Sequence, residues 1–278
     1  MISVVIPVFN EETIIGNCLD ALVEHGDGVG EIIVVDNGSC DATRYIVADY
    51  CDRHPHIRLI DEPRRGVANA RNAGFDAATN DIVGRIDADT WVTRGWADII
   101  ERYFKESPDT AAVTGLSTYH DSPIGIFRKW AVSALVALGL VGGQQCNLHG
   151  ANMAIRREYW HKIRTRASRR PDVHEDVDLA IAMTNNGFRI DQLTNLNVTV
   201  SARRRAMSPA GMWTYNRHSF ETIRNQGWKI TFPIRFCAAA VFVMHTVQWP
   251  LYKNWDFERR RFTWRSQSVR VSPVTVLG

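Results

Sequence analysis

The stretch ISVVIPVFNEETIIGNCLDALVEHGDGVGEIIVVD, Ile2–Asp36, opens the chain with the pattern that decides its fold. ISVVIP (Ile2–Pro7) is a continuous apolar run ended by proline, which reads as a buried strand. Glu12–Val23 then sets Ile15, Leu19 and Leu22 at helical spacing, and EIIVVD (Glu31–Asp36) is a second buried strand. The same unit follows again. The loop NGSCD leads into a helix that Asp41 can cap, with Ile46, Val47 and Tyr50 as its apolar stripe. IRLI (Ile57–Ile60) is a third strand, Gly66–Ala78 an Ala-rich helix, and DIVGRID (Asp81–Asp87) a fourth strand. Trp96, Ile99, Ile100, Tyr103 and Phe104 give one more helical face. Such alternation predicts a parallel sheet with helices on both faces. Ligands of these sheets bind beyond the carboxyl ends of the strands. Phe9, Asp36, Asp87 and Asp89 all fall just past a strand's carboxyl end.

Past AAVTG (Ala111–Gly115) the alternation weakens. GANMAIRREYW (Gly150–Trp160) reads as a turn, a short strand and a helix start. HEDVDLAIAMTNNG (His174–Gly187) reads as an acidic loop entering a helix that stops at Gly187. Phe188–Leu193 and Val198–Ser201 are candidate strands, and Pro209–Gln226 a helix. Two apolar stretches remain, one within Ile124–Gly142 and one over Phe236–Tyr252. Both are short or interrupted for a spanning helix, which needs about 20 apolar residues.

The chain has 278 residues, enough for one large α/β domain with an appendage. MISVVIPVFNEE has no basic start and meets proline and acids too early for a signal peptide, which points to the cytoplasmic side. Five scattered cysteines without a CxxC favour reduced thiols over disulfides or a zinc site. The net charge of +3 hides an asymmetry: the residues after 200 carry a net +10 and the first 200 a net −7. Of the 33 basic residues 28 are Arg, whose rigid fork suits phosphate oxygens. A basic C-terminal third suits an anionic partner or is simply a solvated surface. Neither a GxGxxG nor a P-loop follows the first strand, against an ordinary dinucleotide fold and a P-loop NTPase.

GRIDADTW (Gly84–Trp91) sets Asp87 and Asp89 two apart at a strand end. Like charges this close are costly unless a cation lies between them. Mg²⁺ or Mn²⁺ needs only one or two carboxylates when phosphates complete its shell. The competing reading is a polar turn, and spacing alone does not choose.

Six segments in this order resemble the family 2 glycosyltransferases with the GT-A fold: VVIPVFNEE, IIVVDNGSCDAT, GVANARNAGF, DADT, GANMAIRREYW and HEDVDLA. The resemblance covers about residues 1–205. It implies a Rossmann-like, mostly parallel α/β sheet with helices on both faces and a helical C-terminal extension. It also implies an inverting transferase that uses a nucleotide-diphospho-sugar. In that family Pro7, Phe9 and Glu11 would hold the base and ribose, and Asp36 would contact the nucleoside. Arg71 would lie near the base and diphosphate. In the Asp87–Ala88–Asp89 clamp, Asp87 would face the ribose and Asp89 would ligate Mn²⁺ or Mg²⁺. Asp176 would be the general base, with Glu175 orienting it or raising its pKa. Asn152 would floor the donor sugar or acceptor, or merely form a turn with Gly150. Arg203 or Arg204, in SARRR, would face the diphosphate.

The expected domains are a catalytic unit over 1–205, with a nucleotide-sugar half over about 1–115 and an acceptor half over about 116–205. A helical, basic extension over 206–278 follows. The acceptor is expected to be a saccharide or lipid-linked, with a UDP-sugar donor favoured by the family's habit and no nucleic-acid partner. Arg235, Lys253, Trp249, Tyr252 and Trp255 flank the second apolar stretch, and ERRRFTWR (Glu258–Arg265) adds charge. Aromatic and basic residues of this kind suit peripheral attachment to an anionic membrane surface; two core or interface helices are the other reading. A nucleotidyltransferase shares such a sheet, but the loop after the first strand, VFNEETIIG, is acidic rather than basic and Gly-rich. An Arg-rich nucleic-acid-binding protein is a further alternative, which leaves the acidic rim unexplained.

Overall fold

The computed structural model describes residues 1–264. Arg265, which ends the basic run, and the last part of the extension expected over 206–278 lie outside the described residues. The first half runs β1 (Ile2–Val8), α1 (Ile15–His25), β2 (Val29–Asp36), α2 (Thr43–Arg53), β3 (Ile57–Asp61), α3 (Val67–Ala77), β4 (Ile82–Arg85), β5 (Trp91–Val92) and α4 (Trp96–Glu106). Then come β6 (Thr110–Tyr119), α5 (Gly125–Ala137), β7 (Gly143–Gln145), β8 (Met153–Arg156), α6 (Arg157–Ile163), α7 (Glu175–Asn185) and β9 (Arg189–Val200). A 3-10 turn (Arg203–Ala206), α8 (Pro209–Asn225), α9 (Phe232–Lys253) and the small strands β10 (Trp255–Asp256) and β11 (Arg261–Phe262) complete it.

Nine strands form one mixed sheet in the order β3-β2-β1-β4-β8-β6-β9-β5, with β7 on β9. The block β3-β2-β1-β4 is parallel, β8 runs antiparallel between β4 and β6, and β9 is parallel to β6. The chain winds outward from β1 to β3 and then returns to place β4 on β1's other side. Strand order thus reverses between β1 and β4, where such sheets bind their ligands. The loops after β1, β2, β4, β6 and β9, and the turn before β8, all open on this rim.

Strand alternation divides the core. Ile2, Val4 and Ile6 of β1 face α1, α2 and α4, packing with Leu19, Val47, Trp96 and Phe104. Val5, Ile33 and Val35 face α3, α6 and α7, packing with Phe75, Trp160 and Leu179. The continuous apolar runs follow from this burial on both faces.

Three expectations need correction. The first helix begins at Ile15, not Glu12, because Ile14 and Ile15 donate to the Glu11 carbonyl at 3.1 and 2.9 Å and close a turn. Glu12 caps α2 instead, accepting from the Ala42 N–H at 2.8 Å, while Asp41 accepts from the Thr43 N–H at 3.1 Å. The two strands expected after Gly187 are one, β9, whose pairing with β6 shifts register between Thr114 and Leu116. Neither apolar stretch is a core helix: α5 has no buried residue, and α9 buries only His245 and Tyr252.

Helix α3 lies unusually close to the sheet at Gly74. A Cβ there would fall 2.3 Å from Val5 Cγ1 and 2.9 Å from Val35 Cγ2. Alanine would gain up to about 1 kcal/mol of helix propensity and lose more to overpacking. Gly74→Ala is predicted to lower unfolding free energy by about 1–3 kcal/mol, read from the midpoint of a urea transition.

Candidate active site

The rim is organised around Arg85, the last residue of β4, only 3% exposed. Its guanidinium joins Asp87 at 2.9 Å to Glu175 at 2.7 Å. Asp87 comes from the loop after β4 and Glu175 from the first turn of α7, so one buried cation ties together two acidic segments 88 residues apart. A pair this deep needs both partners, because removing one leaves the other charged in a poor solvent. Gly150 makes the approach possible: a Cβ there would lie 1.7 Å from Arg85 Nη1.

The Gly150 N–H donates to Asp176 Oδ2 at 2.9 Å, and the Val177 N–H to Oδ1 at 2.8 Å. Burial pushes the Asp176 pKa up. Arg85, the Gly150 N–H and the fields of His149 and His174 outweigh burial, so the carboxyl titrates below its usual range. Asp176 is therefore ionised at neutral pH and remains partly accessible.

Across the rim, Asp89 is raised to about 6 by burial and by Asp87, against the pull of Arg203. Arg203 grips Glu11 through two 2.7 Å bonds and reaches Asp89 at 3.4 Å. Arg204 lies within electrostatic reach of Asp87, Asp89 and Asp176, near the Tyr215 ring. Arg205 turns away to the Tyr119 hydroxyl at 3.0 Å. Ala88 is buried between the two acids, and the Cys18 thiol of α1 contacts the Asp87 carbonyl at 3.7 Å. Pro7 is half-buried near the end of β1, and Phe9 just beyond it carries the Arg65 guanidinium 4.4 Å above its ring.

Three expected contact residues are committed elsewhere. Asp36 is 1% exposed and accepts from the Gly38 and Ser39 N–H groups and from Arg44, so it shapes the loop after β2. Arg71 is fully buried and donates to Asn72 at 2.7 Å and to the Glu175 carbonyl at 3.1 Å. Its pKa falls to about 10, because burial disfavours its charge. It braces α7 from below instead of lining the rim. Asn152 is 0% exposed, accepting from Trp96 Nε1 and donating to the Leu116 and Leu196 carbonyls, all at 2.9 Å. It joins three elements and has no free polar atom for a sugar.

Besides Arg85, the sequence does not mark two further groups at the rim. His149, just before Gly150, lies within electrostatic reach of Asp176 and Asp87, and burial pushes its pKa down. Its place before the GAN turn is the one signal that could have marked it. Tyr215 comes from α8: its carbonyl lies 3.0 Å from His174 Nε2 and its ring 4.2 Å from the imidazole. Nothing local in MWTYNR separates it from an ordinary helix residue.

Among the described residues no three His, Cys, Asp or Glu side chains form a metal cage. A hard divalent ion does not need one when diphosphate and water oxygens complete its shell. Asp89, partly exposed beside Asp87 and paired with Arg203 at 3.4 Å, is the donor that fits such a shell.

Residues 3–164 match the family described as Glycosyl transferase family 2. Among curated relatives, the uncharacterized glycosyltransferase EpsJ of Bacillus subtilis (strain 168) is 34% identical over 93 residues, 34% of this chain and 27% of the relative. Poly-beta-1,6-N-acetyl-D-glucosamine synthase of Staphylococcus epidermidis (strain ATCC 35984) is 32% identical over 115 residues, 41% of this chain and 28% of that one. The chain thus spans little more than a quarter of the length of these two relatives. Among solved structures, the mannosyltransferase PcManGT from Pyrobaculum calidifontis, in complex with GDP-Man and Mn²⁺, superposes with a TM-score of 0.63 at 23% identity, covering 90% of this chain and 72% of that one. Glucosyl-3-phosphoglycerate synthase from Mycobacterium tuberculosis, in complex with Mn²⁺ and UDP-glucose, gives 0.56 at 23% identity, covering 83% and 80%. The sheet is the GT-A fold of these enzymes, and the chain belongs to glycosyltransferase family 2.

Proposed function

We propose that the chain is an inverting, divalent-metal-dependent transferase that moves a sugar from a nucleotide-diphospho-sugar to an acceptor hydroxyl. A UDP-sugar is the favoured donor, and the acceptor is a saccharide or lipid-linked, as in cell-envelope polysaccharide. Residues 1–115 hold the donor and 116–205 the acceptor, with Tyr215 of the 206–278 extension added to the acceptor side. Five free thiols suit a cytoplasmic setting. The observation that carries the reading is the Asp87–Arg85–Glu175 bridge, which sets the loop of Asp87 and Asp89 against the start of α7, where Asp176 follows Glu175. The ligands bound by structural neighbours support it: GDP-Man with Mn²⁺, UDP-glucose with Mn²⁺, and UDP-GlcNAc in S. aureus TarS. Membership of a glycosyltransferase family decides against nucleotidyl transfer, the competing use of such a sheet.

The donor's base lies against Pro7 and Phe9, with Asp36 shaping the wall behind it. Asp89, with Asp87 beside it, would hold the ion, which when bound would neutralise charge on the departing diphosphate. Arg203 exchanges its carboxylate partners Glu11 and Asp89 for phosphate oxygens, and Arg204 adds a second guanidinium. Asp176 takes the proton of the acceptor hydroxyl as that oxygen attacks the anomeric carbon. The bond from that carbon to the diphosphate breaks on the opposite face, and the nucleoside diphosphate leaves with the electron pair. Glu175, fixed by Arg85, keeps α7's first turn in place so that Asp176 faces the acceptor.

Melting curves with UDP, GDP and dTDP, with and without Mn²⁺, test the donor reading. At least one diphosphate is expected to raise Tm only with the metal, equivalent to about 2–3 kcal/mol at a hundredfold excess over Kd. Asp89→Asn should abolish that response, and silence from all three nucleotides would sink the proposal. The expected result for Asp176→Asn is an intact nucleotide response with sugar transfer slowed roughly 10²–10⁴-fold, measured across a panel of sugar nucleotides. Arg85→Lys keeps a charge but loses the fork that spans Asp87 and Glu175. Unfolding free energy is predicted to fall by about 2–4 kcal/mol in chemical denaturation.

A further inference from the structure

Helix α9 is long and apolar enough to cross a membrane, yet it is fastened lengthwise to the protein. His245 Nε2 meets the Met207 carbonyl at 2.9 Å, Trp249 Nε1 donates to the Ala206 carbonyl at 3.1 Å, and Asn216 donates to the Ala238 carbonyl at 3.3 Å. Tyr252 joins the Ser122 hydroxyl at 2.7 Å, beside the start of α5. These ties define an inner stripe at helical spacing. The outer stripe, Phe232, Phe236, Val243, Val247 and Leu251, is exposed along the helix's full length. Ile126, Phe127 and Trp130 of α5 are each about 70% exposed. Soluble surfaces rarely leave that much contiguous apolar area uncovered.

The charge around this face identifies what covers it. Residues 122–157, which hold α5, and 222–255, which hold α9, contain no Asp or Glu. Lys129, Lys229 and Arg235 are exposed, and none forms an ion pair among the described residues. Lys253 sits over the Trp249 ring at 4.9 Å. A second copy of the chain would bring cation against cation across a symmetric interface. An anionic bilayer offers acyl chains to the apolar stripe and headgroup charge to the lysines and arginines. We infer that the exposed faces of α5 and α9 form a peripheral docking surface for an anionic lipid bilayer, with α9 lying in the interface rather than spanning it.

Docking in this manner sets the active-site rim near the lipid surface, because α9 is bonded to the 3-10 turn that delivers Arg203 and Arg204. Attachment of this kind is separate from the transfer reaction, and measuring it needs no substrate. Co-flotation of the full chain with phosphatidylglycerol-containing vesicles tests it. The chain should float at low salt, release at about 0.5 M NaCl, and bind pure phosphatidylcholine vesicles more weakly. Phe236→Ser/Val243→Ser/Val247→Ser, all exposed positions, should keep the parent's melting temperature and cut partitioning at least about tenfold. Lys229→Glu/Arg235→Glu should weaken binding to anionic vesicles only. Failure of the parent to float at low salt would overturn the inference. So would a triple variant that floats as well as the parent, or a dimer in sedimentation that the triple variant breaks while the parent ignores vesicles.

Discussion

The contact on which the rest of the rim depends is the buried bridge from Asp87 through Arg85 to Glu175. It spans the sheet's switch point, joining the loop after β4 to the start of α7. Its Arg85–Glu175 half, 3% and 8% exposed, adds little net stability over an apolar replacement, because both charges are taken out of water. What it supplies is geometry. With Arg85 fixed, Glu175 cannot turn outward and α7 begins where Asp176 meets the Gly150 N–H. Arg71 reinforces the same turn from beneath through the Glu175 carbonyl. Two buried arginines therefore aim one accessible carboxylate.

The opposite side of the rim is built more loosely. Glu11 and Asp89 face Arg203, which is partly exposed and sits on a 3-10 turn with no buried residue. The contrast is physical. A base must keep its position through the reaction, whereas a donor clamp must trade protein partners for phosphate oxygens and give them back. The buried Arg85–Glu175 pair suits the first task, and the partly exposed contacts of Arg203 suit the second.

This division explains what the sequence revealed and what it hid. Strand and helix alternation is legible because apolar runs and turn chemistry leave a local pattern, whereas the DxD pair and HED stand out as a site only through the family resemblance. Arg71 and Asn152 were legible as polar residues in a motif, but not as buried ones. Their burial depends on Phe75, Trp160, Trp96 and the β6–β9 pair, which meet only in three dimensions. Arg85 lies within GRIDADTW and carries no signal of its own, because an arginine beside two aspartates reads as an ordinary surface partner. Tyr215 came from α8, far along the chain, and no short window contains both it and its partner His174.

The apolar stretches show the limit from the other side. Composition marked α5 and α9 as apolar, and that description fits a core helix, a spanning helix and an interfacial one equally. What separates the three is which atoms are already satisfied. In α9 the polar groups His245, Trp249 and Tyr252 lie on the stripe facing the protein, and each has a hydrogen-bond partner there. A core helix would have buried the opposite stripe too, and a spanning helix could not keep protein contacts along its length. A helix half bonded to protein and half bare is the arrangement for lying between a folded domain and an apolar layer.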